Sequence, residues 1–383
     1  MKTPQSALPC LLAAAHKDDN DKMNDQPAPL PTDDPVRPCA RVERPSPPTF
    51  AALDLGTNNC RMLVGAPTGD GFRVLDSFSR IVRLGEGLHH SGRLSQIAMD
   101  RAMAALHGCA ARLARRPVRA LRAIATEACR RAENGEEFLA RVRTETGLPI
   151  DVISSREEAE LALESCTPLL RRGGRRALLF DIGGGSTELA WVRLSAEEAR
   201  PELIGYISLP VGVVTLAERI GSAGFDCEAF HDMVDEVADM LAPFDRVHCI
   251  AQEIRQGGVF LLGTSGTVTT LAGLAMDLPR YSRPLVDGAV LSCGEANEAV
   301  DKLRAMGREG LAQHPCVGPE RADFVLPGCA IFAAIHRLWP APHVVVADRG
   351  LREGMLLRMI RAERSRPARP RFCGGPPEQK LQA

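Results

Sequence analysis

Residues 177–192 read ALLFDIGGGSTELAWV. An apolar run of strand length ends at Asp181, three glycines follow, and a second apolar run begins after Glu188. Consecutive glycines offer no side chains for a sheet to pack, so their use lies in backbone freedom or in the close approach of another group. The stretch therefore predicts two strands joined by a polar turn, whose successive N–H groups can cradle an anionic oxygen.

A second stretch of the same design lies nearer the N-terminus. Residues 49–65 read TFAALDLGTNNCRMLVG, again with an apolar strand, an aspartate, a polar turn with glycine and a further apolar strand. Such an internal repeat predicts two similar domains that face each other across a cleft. Strands and helices alternate through the rest of the chain, which indicates an α/β protein.

The composition excludes several classes of protein. The chain has 383 residues, of which 45% are hydrophobic and 25% charged, as expected of a globular protein with room for two cores. A formal net charge of -1 gives no bulk attraction for nucleic acid or membrane, and no stretch has the ~20 apolar residues of a membrane span. We therefore expect phosphate binding to be local, with neither nucleic acid nor membrane as a partner.

Both ends of the chain differ from the middle. Residues 1–48 are rich in Pro, Asp and Asn and predict a disordered leader, and residues 363–383 predict a disordered basic tail. The twelve cysteines show no C-x-x-C spacing, which indicates reduced thiols in a cytoplasmic protein.

The glycine-rich turn around residue 184 combines backbone donors with hydroxyls and acids. Gly183, Gly184 and Gly185 supply the donors, and the turn ends in the hydroxyl residues Ser186 and Thr187. Asp181 and Glu188 bracket the turn and can face a cation that bridges phosphate oxygens. The alternative is a tight hairpin whose carboxylates are merely solvated.

Two further turns are weaker signals when taken alone. Asp54 is followed by Gly56, Thr57 and Asn58, a pattern that is also typical of an ordinary turn. A third strand ends in a turn made of Gly263, Thr264, Ser265 and Gly266. It precedes a predicted helix N-terminus that favours an anion, although it is equally typical of a simple helix cap.

The segment 154–159, SSREEA, stands where a strand gives way to a helix. Ser155 can cap that helix with Glu158 at its third position, which is the spacing of a capping box. Alternatively, Glu158 can deprotonate an attacking water. Arg130, in ATEACRR, can pair with a phosphate through two hydrogen bonds or simply solvate the start of a helix. Spacing alone leaves both alternatives open.

In this order, the motifs resemble the Ppx/GppA family of exopolyphosphatases and guanosine pentaphosphate phosphohydrolases, within the actin, Hsp70 and sugar-kinase superfamily. The resemblance extends from about Phe50 to Arg361 and is carried by the segments ALDLGTNNCRMLV, AIATEACRRA, ISSREEAELA, LLFDIGGGSTELAWV, LPVGVVTLAER, LLGTSGTVTTLAGL, VDGAVLS and DRGLREGML. It implies two ribonuclease H-like domains, at residues 49–161 and 162–362.

The resemblance also implies roles for individual residues. Glu158 and Glu188 are the expected catalytic residues, and Asp54, Asp181 and Glu188 the expected ligands of Mg²⁺ or another divalent cation. Asn58, Arg130 and the turns at residues 56–58, 183–187 and 263–266 are the expected phosphate contacts. Longer members carry a further helical region, whereas this sequence ends soon after DRGLREG, so processivity and dimer geometry are not carried over.

The expected activity is removal of the terminal phosphate of inorganic polyphosphate by metal-assisted attack of water, in a possible homodimer. The nearer alternative is 5′-phosphate removal from guanosine pentaphosphate. The further alternative is an ATP-binding relative, either a sugar kinase or a non-hydrolytic actin-like module.

Overall fold

The computed structural model describes residues 47–69, 71–170, 174–195, 201–221 and 226–365. Most of the predicted leader and tail thus lies outside the described residues. No helix within these ranges combines the length and the apolar character needed to cross a membrane.

The first half of the described chain forms a five-stranded sheet. In chain order its strands are β1 (Phe50–Leu55), β2 (Asn59–Thr68), β3 (Gly71–Ile81), β4 (Ala120–Ala125) and β5 (Ile150–Val152). Their order across the sheet is β3-β2-β1-β4-β5, with β1 antiparallel to β2 and parallel to β4. The central strand β1 ends where the first polar turn begins.

The second half repeats this arrangement in a six-stranded sheet. Its strands are β6 (Arg176–Ile182), β7 (Thr187–Arg193), β8 (Glu202–Leu209), β9 (Val259–Thr264), β10 (Val290–Ser292) and β11 (His343–Ala347). The order β10-β11-β9-β6-β7-β8 is that of the first sheet with one added antiparallel edge strand, β10. The predicted α/β fold with two ribonuclease H-like halves is confirmed.

Helices cover the outer faces of the sheets and fill the space between them. Those of the first half are α1 (Leu88–Ser91), α2 (Gln96–Ala114), α3 (Glu127–Arg131), α4 (Gly135–Thr146) and α5 (Ser155–Leu170). Those of the second half are α6 (Val213–Ile220), α7 (Cys227–His248), α8 (Ile250–Gln256), α9 (Gly266–Ala275), α10 (Arg283–Val286), α11 (Cys293–Ala305), α12 (Gly307–Gln313), α13 (Val325–Leu338) and α14 (Leu351–Arg364).

Helices α5 and α14 lie between the two sheets. They share one buried apolar cluster with strands of both halves, so neither helix belongs to one half alone. At their contact a Cβ on Gly354 would lie 2.2 Å from the carbonyl oxygen of Leu161, which only a glycine avoids. The predicted domain boundary after residue 161 lies within α5, a helix that packs against strands of both sheets. Helix α14 also runs to Arg364, two residues past the predicted end of the second domain at residue 362.

Candidate active site

The polar ends of β1, β6 and β9 surround one cavity of about 260 Å³. Strand β1 is parallel to β4, and β6 is parallel to β9. The carboxyl ends of β1, β6 and β9 open towards the same space. The predicted site residues that line the cavity are Asp54, Gly56, Thr57, Asn58, Glu158, Asp181, Gly183, Gly184, Gly185, Ser186, Thr264, Ser265 and Gly266. The structure therefore brings all three predicted turns and Glu158 together.

The first two turns touch each other directly. A Cβ on Gly184 would lie 3.2 Å from the Cβ atoms of Thr57 and Asn58, and one on Gly185 would lie 2.7 Å from Oγ1 of Thr57. The carbonyl oxygens of Gly183 and Gly184 accept hydrogen bonds of 3.0 and 2.8 Å from the first two residues of α6. A Cβ on Gly185 would thus collide with the Thr57 side chain, and one on Gly184 would be crowded by Thr57 and Asn58.

The N–H groups of the same turn remain available. Those of Gly184 and Gly185 have no hydrogen-bond partner among the residues that the structure describes, whereas Gly183 N–H donates to the carbonyl oxygen of Ser186 at 2.9 Å. Adjacent backbone N–H groups that are available in this way form a concave site that binds an anionic oxygen. The simple-hairpin alternative for this turn does not account for them.

Three buried polar atoms in the cavity wall lack partners. Asp54 Oδ1, Asn58 Oδ1 and Ser265 Oγ make no hydrogen bond within the described part of the chain. Ser265 also has a φ of 110° immediately before α9, a conformation that is costly for a residue with a side chain. Buried polar groups are usually satisfied, so these atoms fit a site that is completed by a ligand.

Four carboxylates share this region and repel one another. Burial raises the pKa of Asp54 and raises that of Asp181 to about 6. Burial, with the negative charge of Asp181, raises the pKa of Glu188 to about 7. The pKa of Glu158 lies well above its ordinary value because of burial and the charge of Glu188, while Arg130 opposes the shift. A cation or a proton must offset this concentration of negative charge.

We expect the metal-free protein to lose stability as pH rises from about 4 to about 7, with little further loss by pH 8. An acid whose pKa is raised by folding stabilises the native state below its ordinary pKa, and that contribution is lost as pH rises through the folded pKa. When the folded and unfolded pKa values of a group differ by one, the difference in stability is about 1.4 kcal/mol. For Asp181 and Glu188 the window extends from their ordinary values to about 6 and about 7.

Thermal unfolding in chelator across this pH range measures the effect. The double variant Asp181→Asn, Glu188→Gln should show a shallower decline, and added Mg²⁺ should raise the melting temperature most at pH 8. Equal slopes for the variant and the wild type would contradict the assignment.

The helix that carries Glu158 is capped by a different serine from the one predicted. Ser154 Oγ accepts a 3.2 Å hydrogen bond from the N–H of Glu157, and α5 begins at Ser155. The Ser155 capping-box interpretation is therefore wrong by one residue, and Glu158 is free of a capping role. Its carboxylate instead accepts hydrogen bonds of 3.3 Å from both terminal nitrogens of Arg130.

Arg130 does not line the cavity, contrary to its prediction as a phosphate contact. Its guanidinium donates to Glu127 at 2.6 Å, to the carbonyl oxygen of Ile153 at 2.7 Å and to Glu158. The N–H groups of Arg130 are used by acceptors from three parts of the chain. Glu127 follows β4, Ile153 follows β5, and Glu158 lies in α5. Arg130 thus orients Glu158 instead of facing the cavity itself.

Three other predicted residues lie outside the cavity wall. The Thr187 hydroxyl donates to the carbonyl oxygen of Val211 at 2.7 Å, so it holds the chain after β8. Glu188 accepts a 2.9 Å hydrogen bond from Ser208 and influences Glu158 through its charge. Gly263 makes room for the ring of Phe180, since a Cβ there would lie 2.5 Å from Cζ.

Several cationic side chains in the wall were missed by the sequence reasoning. They are Arg61, Arg321, Arg349 and Arg352. A signal for Arg61 was present, because it follows Asp54 by the same interval at which Glu188 follows Asp181, and both pairs are cross-strand neighbours. Arg349 and Arg352 lie in the DRGLREG segment that carried part of the resemblance.

The acids do not form a complete metal site by themselves. Within the described ranges no three His, Cys, Asp or Glu side chains are grouped closely enough to hold an ion. Mg²⁺ commonly uses one or two carboxylates and takes its remaining ligands from water and substrate phosphates. Asp54, with its unpaired Oδ1, and Asp181 in the same wall fit that kind of site.

Comparison with known proteins gives a consistent result. The profile of the Ppx/GppA phosphatase family matches residues 64–363. The structure is similar to that of the Aquifex aeolicus family member, with TM-score 0.68 and 27% identity over 82% of this chain and 98% of that one. It also resembles an exopolyphosphatase-like protein, with TM-score 0.75 and 29% identity over 83% and 99% of the two chains.

An exopolyphosphatase from Cytophaga hutchinsonii shares the fold, with TM-score 0.72 and 23% identity over 82% of this chain and 98% of that one. The family profile spans well over half of the sequence and includes Glu158, the glycine-rich turn and the DRGLREG segment. This chain belongs to the Ppx/GppA phosphatase family and is a phosphatase-type hydrolase.

Proposed function

We propose that the protein is an exopolyphosphatase that removes the terminal phosphate of inorganic polyphosphate with the help of Mg²⁺. One observation carries the proposal: Glu158 lines the same cavity as Gly184 and Gly185, whose backbone N–H groups have no hydrogen-bond partner among the described residues. A carboxylate base facing an anion cradle is the arrangement needed to direct water at a bound phosphoryl group. The family gives the reaction class, and the cavity suggests the substrate.

The charges of the cavity suit a phosphate chain. The N–H groups of Gly184 and Gly185 would bind the terminal phosphoryl oxygens, and the start of α9 at Gly266 would bind a neighbouring group. The guanidinium groups of Arg61 and Arg321 line the same space and add positive charge. A substrate with successive phosphates uses all of these donors at once.

Asp54 and Asp181 would hold the cation. When bound, Mg²⁺ would neutralise negative charge on the phosphoryl oxygens of the substrate. These two acids project from equivalent positions on β1 and β6, the central strands of the two sheets. Burial raises the pKa of both acids, and a nearby negative charge adds to the shift, from Glu353 for Asp54 and from Asp54 for Asp181. A cation would offset this negative charge.

Glu158 would act as the base. A water oxygen attacks the terminal phosphorus, its proton passes to Glu158, and the bond between phosphorus and the bridging oxygen breaks. The electron pair of that bond remains on the bridging oxygen of the shortened chain, and inorganic phosphate leaves. Arg130 keeps the Glu158 carboxylate directed during this step through its bonds to Glu127 and Ile153.

Replacing Arg130 by Gln should shift the acid limb of the pH profile of kcat/KM to higher pH. The positive charge of Arg130 lowers the pKa of Glu158, so its loss raises that pKa. A general base works in its ionised form, so activity then requires a higher pH. Arg131→Gln is the matched control, because Arg131 is more exposed and lies 3.7 Å from Glu127. An unchanged acid limb in Arg130→Gln would contradict the positioning role.

The proposed function is tested by measuring phosphate release from long-chain polyphosphate, with and without Mg²⁺, beside guanosine pentaphosphate and ATP. We expect metal-dependent release from polyphosphate. Preferential release from guanosine pentaphosphate would favour the nucleotide phosphohydrolase, whose active site would use the same cradle. ATP hydrolysis or assembly without either activity would favour the actin-like alternative.

The reaction fits the cytoplasm, the reducing compartment predicted from the cysteines. Each cysteine that the structure describes is a free thiol.

A further inference from the structure

Arg352, the second residue of α14, lines the cavity with a guanidinium that makes no hydrogen bond to any described residue. Its side chain is only 18% exposed. The nearest carboxylate is that of Glu353, at 4.0 Å. That carboxylate already accepts 3.0 Å bonds from Arg283 and from the N–H of Gly350. Arg352 is therefore a largely buried cation whose ion pair, with Glu353 at 4.0 Å, is long and includes no hydrogen bond.

Other arginines near it are paired. Arg349, also in the cavity wall, makes hydrogen bonds of 2.9 and 3.1 Å to the carboxylate of Asp287. Further along α14, Arg358 donates to Glu164 at 3.1 Å. A buried charge without a partner is strongly destabilising in general, so such residues are normally paired or bound to a ligand. Arg352 has only the long contact with Glu353, and it lines the cavity, where a ligand can reach it.

The nearby guanidinium of Arg61 adds to the free-energy cost of burying the charge of Arg352. Burial lowers the pKa of Arg352, and the nearby charge of Arg61 lowers it further, while Glu353 and Asp54 act in the opposite direction. Two cationic groups that face one cavity are stabilised by an anion between them. The carboxylate of Asp54 does not serve this purpose, since it makes no hydrogen bond to either arginine.

The packing of α14 brings Arg352 to the cavity that Glu158 also lines. Gly354 contacts Leu161 of α5, so the two helices are held against each other at that point. Arg352 precedes this contact by two residues, and Glu158 precedes it by three on the partner helix. An anion held by Arg352 would therefore occupy the same cavity as the group that Glu158 addresses.

We propose that Arg352 binds a phosphoryl oxygen of the substrate and forms, with Arg61, a subsite for the phosphate next to the one that is cleaved. The inference rests on the proposed function for the kind of ligand. It adds that the substrate must carry at least two adjacent anionic groups. A single phosphate would occupy either the glycine turns or this subsite, whereas a phosphate chain would occupy both.

The test is calorimetric titration of the full chain with tripolyphosphate, without added metal and again with Mg²⁺. The variants are Arg352→Met, Arg352→Lys and, as a control for the lost charge on the same helix, Arg358→Met. We expect Arg352→Met to weaken binding by about 10- to 100-fold, the size of a lost hydrogen bond to a charged group. Arg352→Lys should be intermediate, and Arg358→Met should remain within about twofold of the wild type.

Thermal unfolding without ligand gives a second readout that separates binding from a structural role. Removing a buried charge that has only one long ion pair relieves its burial cost, so the melting temperature of Arg352→Met should equal or exceed that of the wild type. A lower melting temperature, or tripolyphosphate affinity within twofold of the wild type, would overturn the inference. Weakened binding in Arg352→Met, with no hydrolysis of any substrate by the wild type, would leave the subsite standing and refute the proposed function instead.

Discussion

Replacing Glu158 by Gln is expected to slow phosphate release at saturating substrate by ~100-fold or more. The amide keeps the size of the side chain and can accept a hydrogen bond from Arg130, but it cannot take a proton from water. Glu158 is 7% exposed and lies in the cavity wall, where Arg130 holds its carboxylate. The loss should therefore fall on kcat, with a small change in KM.

Glu157→Gln is the matched control for this variant. Glu157 precedes Glu158 in α5 and pairs with Arg122 at 3.2 Å, outside the cavity. It undergoes the same chemical change, so it should keep nearly full activity. Circular dichroism and the melting temperature establish that both variants are folded. Phosphate release by folded Glu158→Gln at a rate near that of the wild type would remove Glu158 from the mechanism.

Replacing Gly212 by Ala is expected to abolish most of the activity, with a loss of kcat/KM of about 10-fold or more. A Cβ at this position would lie 2.5 Å from both the carbonyl carbon and the carbonyl oxygen of Gly184 and 2.6 Å from the carbonyl oxygen of Gly183. No rotamer change relieves a clash with backbone atoms, so the glycine-rich turn or α6 has to move. A displacement of about 1 Å in a positioning group can cost about 100-fold in rate.

The same substitution should lower the melting temperature, because overpacking of this kind costs about 1–3 kcal/mol. Gly71→Ala is the control, since a Cβ at Gly71 has no described atom within 4 Å. It should leave activity and stability nearly unchanged. Tripolyphosphate titration then separates the causes: displacement of the turn weakens binding in Gly212→Ala. Unaltered binding and turnover in this variant would contradict the role of the turn.

Local signals were sufficient for much of the secondary structure. Ser95 caps α2 through the N–H of Ala98, and Gly147, with a φ of 71°, ends α4. Both are short-range effects, so they are visible in the sequence. The repeat of strand, aspartate and turn likewise predicted two similar sheets, because a buried central strand and a glycine turn have the same requirements in each half.

Side-chain partners were less predictable. Arg130 and Thr187 lie in motifs that suggested phosphate contacts, yet their donors are used by Ile153 and Val211, which are distant in sequence. The capping residue of α5 was displaced by one position for a related reason. Ser154 and Ser155 are chemically alike, and the approach of the chain from β5 decides which of them caps the helix.

The sequence by itself determined the two-sheet α/β architecture and the turns that line the cavity, because each depends on local patterns of glycine, acids and apolar strands. Local patterns left the role of Glu158 open, and only the resemblance to a family favoured it as a base. Only the tertiary structure decided that α5 and α14 fill the space between the sheets, that Arg130 holds Glu158, and that Arg352 makes no hydrogen bond to a described residue. These features depend on which distant groups meet in the folded chain, and burial makes the energetic consequences of that choice large.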